Sequence, residues 1–548
     1  MHTSRFSKQL FLLMFLLPAA WGQARADLSI VGRIKAEAYD RSKVMDHLSY
    51  LSDVYGPRLT GSPEFNQAAD WAAGRLREYG LSEVHLEPWG PFGRSWSVQQ
   101  WSVELVEPRY APMNATPLAW SMSTDGPVTG EVIVTPAKRT YNVKKAEEEF
   151  DAYRKQWAGK LRGKFAMLGD PKPPAEQNKP QFKRYTDAEL SEIGAAPEHA
   201  AKNYAKLADL KWPEEPEEFW KFLDNLPEST VEEWWHSLQA FQSKRSRFFL
   251  DEGVLGLLIR DDRAHEGMTF AEQAASEKGA EPLAPPAFVV TAEQYNRIAR
   301  IVEKKVPVKV RVSLKAQVSA ADVNGANIVG EIPGGSKKDE IVMIGAHFDS
   351  WHAGTGATDN GAGSAVMIEV MRILKVLNLR MDRTVRIALW SGEEQGLLGS
   401  EAYVKRHFGD PKTMKLTPEH AKLSGYFNLD NGSGKIRGVY LQENDGMRPL
   451  FESWLAPFRD EGVTTITIKN TSGTDHLSFD AVGLPGFQFI QDPLDYWGIT
   501  HHSSMDTYDH AIASDLMQAS AVIAALVYDT ANNPEMLPRK ELPRPTAP

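Results

Sequence analysis

The sequence predicts an α/β protein whose mixed, largely parallel sheet is sandwiched by helices and interrupted by an inserted β-rich domain. Three observations carry this. After Val323, short apolar strands alternate with apolar helices, the rhythm of strands that run parallel and cross over through helices. Between about 119 and 320 that rhythm gives way to short apolar runs, such as Val132-Ile133-Val134 and Val254 to Ile259, separated by turn-rich or charged stretches. Finally, residue types that bind metals recur just after the strands, where ligands bind in such sheets.

Taken in order, the chain opens on an export pattern: Arg5 and Lys8, the apolar run Leu10 to Leu17, then the small-x-small site Ala24-Arg25-Ala26. The run is far short of the roughly 20 residues that a membrane span needs, so cleavage before Asp27 is expected. From Ile30 to about Gly80 the spacing is helical, broken at Gly56-Pro57 and by the loop Arg58-Leu59-Thr60-Gly61-Ser62; Trp96 to Val106 alternates as a strand. Within the insert, about 171–245 is charged and rich in Trp and Pro (Trp212, Trp220, Trp234, Trp235), which reads as a helical insertion. Beyond it, Ile341 to Ala346 is a strand, Ala362 to Leu377 a helix, and Thr384 to Trp390 a strand with Val385, Ile387 and Leu389 on one face. Further strands fall at Gly425–Leu429, Val439–Gln442, Thr464–Ile468 and Gly486–Ile490, before a last helix from about Ser514 to Tyr528. The expected division is a signal at 1–26, the first part of the main domain at 27–118, the insert at 119–320 and the rest of the main domain at 321–548.

Composition narrows the function. The 548 residues, too many for one core, include 72 acidic and 62 basic side chains and no block of Lys and Arg interleaved with aromatics, so no nucleic-acid partner is expected. Cysteine is absent, which removes disulfides, thiolate ligands and a cysteine nucleophile. Any metal must sit on His, Asp and Glu. A large exported chain that folds without disulfides suits a secreted or periplasmic bacterial protein, free of the membrane once the signal is removed. The sequence leaves the oligomeric state open, a dimer included.

Five segments carry the chemistry: Gly345-Ala346-His347-Phe348-Asp349, Thr358-Asp359-Asn360-Gly361, Ser391-Gly392-Glu393-Glu394, Phe427 to Asn431, and His501-His502 to Thr507. Singly, each has a plain explanation as a packed histidine, a turn or a solvated surface. Together they bring two His and three carboxylates to strand ends of one sheet. Asp359, Glu394 and Asp430 supply three negative charges and a bridging hydroxide a fourth, which two Zn²⁺ neutralise with both His uncharged. One zinc would leave carboxylates repelling one another. Asp359, in a Gly-rich loop, is best placed to bridge ions roughly 3.5–4 Å apart.

The run from His347 to Ser400, with His-x-Asp, Asp-Asn-Gly-Ala-Gly and Leu-Trp-Ser-Gly-Glu-Glu-Gln-Gly-Leu-Leu-Gly-Ser, resembles the dizinc exopeptidase family that includes bacterial leucyl aminopeptidases and plasma glutamate carboxypeptidase. The resemblance extends through Asp430, His502-Ser503-x-x-Asp506-Thr507 and the Arg58 to Ser62 loop, and the insert resembles that family's protease-associated domain. It implies the zinc exopeptidase fold, a peptide substrate, one zinc on His347, Asp359 and Asp430, and a second on Asp359, Glu394 and His502. Glu393 would be the general base; Asp349 would orient His347 and Asp506 would orient His502. His501 stands where simpler aminopeptidases often carry a tyrosine. It would stabilise the oxyanion, or be the ligand itself after a one-residue shift; the spacing to Ser503 favours His502 as ligand. Two other readings are a glutaminyl cyclase-like transferase with one zinc and a receptor-like relative without catalysis, against which all five ligands and the base are retained. No Gly-x-Ser-x-Gly elbow or dinucleotide fingerprint is present. Since the whole constellation lies beyond the insert, the insert is expected to govern access as a lid and to contribute no catalytic residue, the alternative being a domain that only stabilises the enzyme.

Overall fold

The computed structural model describes residues 26–137, 140–172, 181–195, 207, 210–213, 219, 222–223, 226, 228–319 and 322–545. All of the expected signal but Ala26, and much of the helical insertion at 171–245, Trp220 included, lie outside the described residues.

Two eight-stranded sheets organise the chain. The first runs Ser82–Gly93, Val323–Ile332, Arg383–Trp390, Lys337–His347, Leu423–Asn428, Gly486–Gln491, Ile436–Tyr440, Thr465–Thr467 from edge to edge. Its centre, from Arg383–Trp390 to Gly486–Gln491, is parallel, while Val323–Ile332 and Ile436–Tyr440 pair antiparallel on either side. The sheet is therefore mixed, with a parallel heart.

Alternation of side chains along these strands feeds two apolar layers. Val342, Ile344, Ala346, Val385, Ile387, Leu389 and Phe427 pack with the helices Leu28–Asp40, Ala362–Val376 and Ala513–Asn532. Ile341, Met343, Ala388, Trp390 and Tyr426 face the other way, onto Tyr403, Val404 and Phe408 and onto Phe479. Each buried large aliphatic or aromatic side chain contributes about 1.5–3 kcal/mol. With both faces covered, the strands read as continuous apolar runs, and polar groups are left to the strand ends. Helix starts are capped locally: Asp27 accepts from the amides of Ser29 and Ile30, and Ser62 from that of Phe65, with Pro63 in the first turn.

The second sheet runs Ala111–Pro112, Trp96–Glu107, Lys309–Val318, Val128–Thr135, Lys164–Leu168, Gly256–Ile259, Ala287–Val290, Ala115–Pro117. Val128–Thr135 through Ala287–Val290 are parallel neighbours, and the helices Val143–Trp157, Glu228–Glu252 and Ala292–Glu303 fall among or just after them in the chain. Trp96–Glu107, before residue 119, pairs along its length with Lys309–Val318. No helix among the described residues is long and apolar enough to cross a membrane.

Candidate metal centre

The parallel heart of the first sheet aims three chain segments at one point. His347 is the last residue of its strand, Glu393 and Glu394 follow Trp390 by three and four residues, and Asp430 lies two beyond Asn428. Asp359 arrives from the loop before the helix Ala362–Val376. Asn360 fixes that loop: its Oδ1 accepts from the Gly363 amide (2.9 Å) and its Nδ2 donates to the Leu429 carbonyl (2.9 Å). A Cβ on Gly363 would stand 2.3 Å from both Asn360 Oδ1 and the Leu429 carbonyl, so the Asp-Asn-Gly-Ala-Gly motif admits no side chain there.

Asp359 lies between the two histidines. Its Oδ1 is 3.2 Å from His347 Nε2 and its Oδ2 is 3.3 Å from His502 Nε2. On one side His347 Nε2 also lies 3.4 Å from Asp430 Oδ1 and 3.9 Å from Glu393 Oε2. On the other, His502 Nε2 lies 3.1 Å from Glu394 Oε2. Glu394 is fixed through its second oxygen, which accepts from the Trp351 amide (3.2 Å). All five residues expected to bind metal thus come together, with Glu393 at their edge and more exposed than Glu394. His501 stacks on His502 with ring centroids 3.7 Å apart, its Nε2 3.9 Å from Asp359 Oδ2.

The electrostatics is that of a crowded nest. Burial disfavours the Asp359 charge, but His347 and His502 outweigh it and hold the carboxyl well below its usual range. Glu394 is pushed up to about 8 by burial and then by Asp359. Burial, aided by Asp430, Asp475 and Glu394, raises Glu393 well above the ordinary range against the pull of His347. Burial alone would lower both histidines, but Asp430 and Glu393 raise His347, as Glu394 and Asp359 raise His502. His501 goes the other way, down to about 3, through burial and the neighbouring His502. Asp359 Oδ2 and Asp430 Oδ1 are buried and accept no well-formed hydrogen bond. Buried carboxylate oxygens need compensation, and a divalent cation on this His and carboxylate set would supply it.

Two supporting residues, Asp506 and Glu272, depart from the sequence reading, while Asp349 lies against His347. His347 Nδ1 meets the backbone carbonyl of Asp349 at 3.0 Å, with the Asp349 carboxylate at 3.5 Å. That carboxylate accepts from the Thr60 hydroxyl (2.8 Å) and faces the amides of Glu393 and Glu394, each at 3.4 Å. Asp506 does not orient His502: its carboxylate accepts from the Thr358 amide and hydroxyl (2.6 and 2.8 Å) and faces the Asp359 amide (3.3 Å), so it buttresses the loop of Asp359. His502 Nδ1 meets Glu272 Oε1 at 2.9 Å, and Glu272 belongs to the expected insert. The insert therefore lends His502 a supporting partner. No pattern around Phe270-Ala271-Glu272 marks it in the sequence; the pairing spans 230 residues and exists only in the fold.

The Arg58 to Ser62 loop is scaffold. Arg58, fully buried, donates to the carbonyls of Phe348 (2.7 Å), Leu51 (2.8 Å), Gly356 (2.9 Å) and Thr355 (3.2 Å), tying the loops that carry His347 and Asp359 to the amino-terminal helices. Thr60, besides its bond to Asp349, accepts from the Gly392 amide at 2.9 Å.

Comparison with known proteins agrees with this geometry. Residues 327–527 match Peptidase family M28. Carboxypeptidase Q of Mus musculus is 25% identical over 522 residues, 94% of this chain and 90% of that one. Aminopeptidase YwaD of Bacillus subtilis is 31% identical over 213 residues, 37% of this chain and 44% of that one. Among solved structures, a peptidase M28 precursor from Shewanella amazonensis superposes with a TM-score of 0.64 at 23% identity, covering 94% of this chain and 98% of that one. BSAP, a zinc aminopeptidase from Bacillus subtilis, gives 0.52 at 18% identity, covering 91% and 97%. The protein is a metallopeptidase, and so a hydrolase. Within that class, its residues 327–527 are similar to peptidase family M28.

Proposed function

We propose that the chain is an exported dizinc exopeptidase that hydrolyses terminal bonds of short peptides, of the aminopeptidase or the dipeptidase and carboxypeptidase type. The observation that carries the two-ion reading is Asp359, whose two oxygens face different histidines. His347, Asp359 and Asp430 would hold one zinc, and Asp359, Glu394 and His502 the other. Bound there, the pair would polarise the scissile carbonyl and ease ionisation of water.

The remaining work falls to this chain's own groups. Glu393 takes the proton from the attacking water; as the carbon–nitrogen bond breaks, it returns that proton to the leaving amine. His501, kept neutral by burial beside His502, presents an N–H donor for the developing oxyanion. Trp235, on the helix Glu228–Glu252, donates to the Gln395 carbonyl at 3.4 Å, so this helix touches the loop carrying Glu393 and Glu394. That contact supports a part for the insert in access to the cleft.

Metal analysis tests the reading. Purified protein should hold two equivalents of zinc, lose activity to a chelator and regain it with zinc or cobalt; activity in a metal-free preparation would overturn it. A fluorogenic panel of aminoacyl amides beside blocked and unblocked dipeptides assigns the terminus. Amino-terminal sequencing of the exported protein should begin at Asp27.

A further inference from the structure

His502 is the one expected ligand whose second ring nitrogen is held by the second sheet's part of the chain. Its Nε2 faces Asp359 and Glu394, so for that nitrogen to present a lone pair, Nδ1 must carry the ring proton. The group set to accept that proton is the Glu272 carboxylate, at 2.9 Å. Glu272 is itself braced. Arg263 Nη2 lies 3.2 Å from the same oxygen, and Arg263 is in turn gripped by both oxygens of Asp261 (3.0 and 3.2 Å) while lying over the Phe270 ring at 4.5 Å.

The backbones add a second grip. Phe270 and Ser503 form an antiparallel bridge, the Ala271 amide donates to the His502 carbonyl (3.2 Å), and the Ser504 amide to the Thr269 carbonyl (2.8 Å). This ladder holds His502 at a φ of 61°, a left-handed conformation that residues with side chains rarely adopt. Its other edge is anchored to the second sheet's polypeptide, where the Ala119 amide donates to the Glu272 carbonyl (2.9 Å) and the Ala274 amide to that of Ala119 (2.8 Å).

We propose that Glu272, braced by Arg263, is the positioning residue for His502, through which the second sheet's chain sets the imidazole at one of the two metal positions. This rests on the dizinc reading and extends it: the two positions differ in what orients their histidine. His347 is held by a backbone carbonyl two residues away, His502 by a carboxylate from a distant part of the chain. Loss of Glu272 therefore acts on one ion only.

The experiment titrates metal in the full chain as wild type, Glu272→Ala, Glu272→Gln and Glu272→Asp, reading the affinity of each equivalent by chelator competition and the cobalt absorption spectrum, alongside kcat and KM. Removing an outer partner of a ligating histidine typically weakens metal binding roughly 10–100-fold. Glu272→Ala should weaken one equivalent by about that factor and leave the other unchanged, with kcat reduced at low zinc and restored by excess. Glu272→Gln, which keeps an accepting oxygen, should lie between Ala and wild type, and Glu272→Asp should recover part of the affinity. Melting temperatures near wild type are expected, since Glu272 is one-third exposed. Two equivalents bound by Glu272→Ala with unchanged affinity would overturn the proposal, as would equal weakening of both. A wild-type chain holding a single equivalent would overturn the dizinc reading instead, and the same comparison would then decide Glu272 on that ion.

Discussion

Each of the two sheets contains four parallel strands, yet only one ends in a reactive nest. In the first, the carboxyl ends deliver His347, Glu393, Glu394 and Asp430, with buried oxygens of Asp359 and Asp430 left without good hydrogen bonds. In the second, the ends of Val128–Thr135 and Lys164–Leu168 are closed by ordinary hydrogen bonds. Thr135 Oγ1 accepts from the Tyr153 hydroxyl (2.9 Å) and donates to the Met167 carbonyl (3.2 Å), and the Tyr295 hydroxyl donates to the Gly169 carbonyl (2.8 Å). Parallel topology provides a place where strand ends converge; the side chains there decide whether it becomes a site or a cap.

The sharpest way to break that contrast is at Glu393. Glu393→Gln should lower turnover by roughly 10²–10⁴-fold with metal content and melting unchanged, whereas Glu394→Ala should lower zinc occupancy. Reversed behaviour of the two variants would reverse base and ligand. In the second sheet the largest effects should instead be on stability. Phe165→Ala, emptying a buried position between strands, should cost about 3–5 kcal/mol in denaturant unfolding and leave kcat per folded molecule unchanged.

A third test separates acid lability of packing from that of the metal centre. His47, buried under the helix Ala362–Val376 with its Nε2 2.7 Å from the Tyr79 hydroxyl, is pushed down to about 3 by burial and then by Arg75. Below its unfolded value of 6.5 the unfolded chain takes up a proton that the native state refuses until about pH 3. Stability is therefore lost as pH falls through that window, by up to about 1.4 kcal/mol per pH unit for this one group. His47→Gln should flatten the fall between pH 6.5 and 5, measured as the difference in unfolding free energy from wild type. The smallest expected effect is at a strand-end cap: Tyr295→Phe should cost about 1 kcal/mol of stability and nothing in activity.

How far the sequence reaches differs between the same two regions. In the first sheet, apolar runs such as Ile341 to Ala346 mark strands buried on both faces, and the residues just beyond them are site residues by position alone. The convergence of His347, Asp359, Glu394 and Asp430 is legible because local order in the chain becomes spatial order at one sheet edge. The helices Val143–Trp157 and Ala292–Glu303 beside the second sheet passed unread, the first because its surface is mostly charged and only Ala146, Phe150 and Tyr153 turn inward. Glu272 was illegible for another reason: a carboxylate whose role is to meet a ring 230 residues away has no neighbour in sequence that betrays it. Asp506 departs from what the resemblance implies, because the turn between it and His502 directs its carboxylate to Thr358 instead.

The guanidinium of Arg58 has a consequence for when the protein becomes active. It joins carbonyls at Leu51, Phe348, Thr355 and Gly356, so the His347 and Asp359 loops are braced only after ends of the chain about 300 residues apart have met. Long-range closures of this kind are slow steps in folding and are reached late. The carboxylates gathered at this centre are thus brought together late, and with His502 among them no growing chain presents the full cluster before nearly all of it has been made.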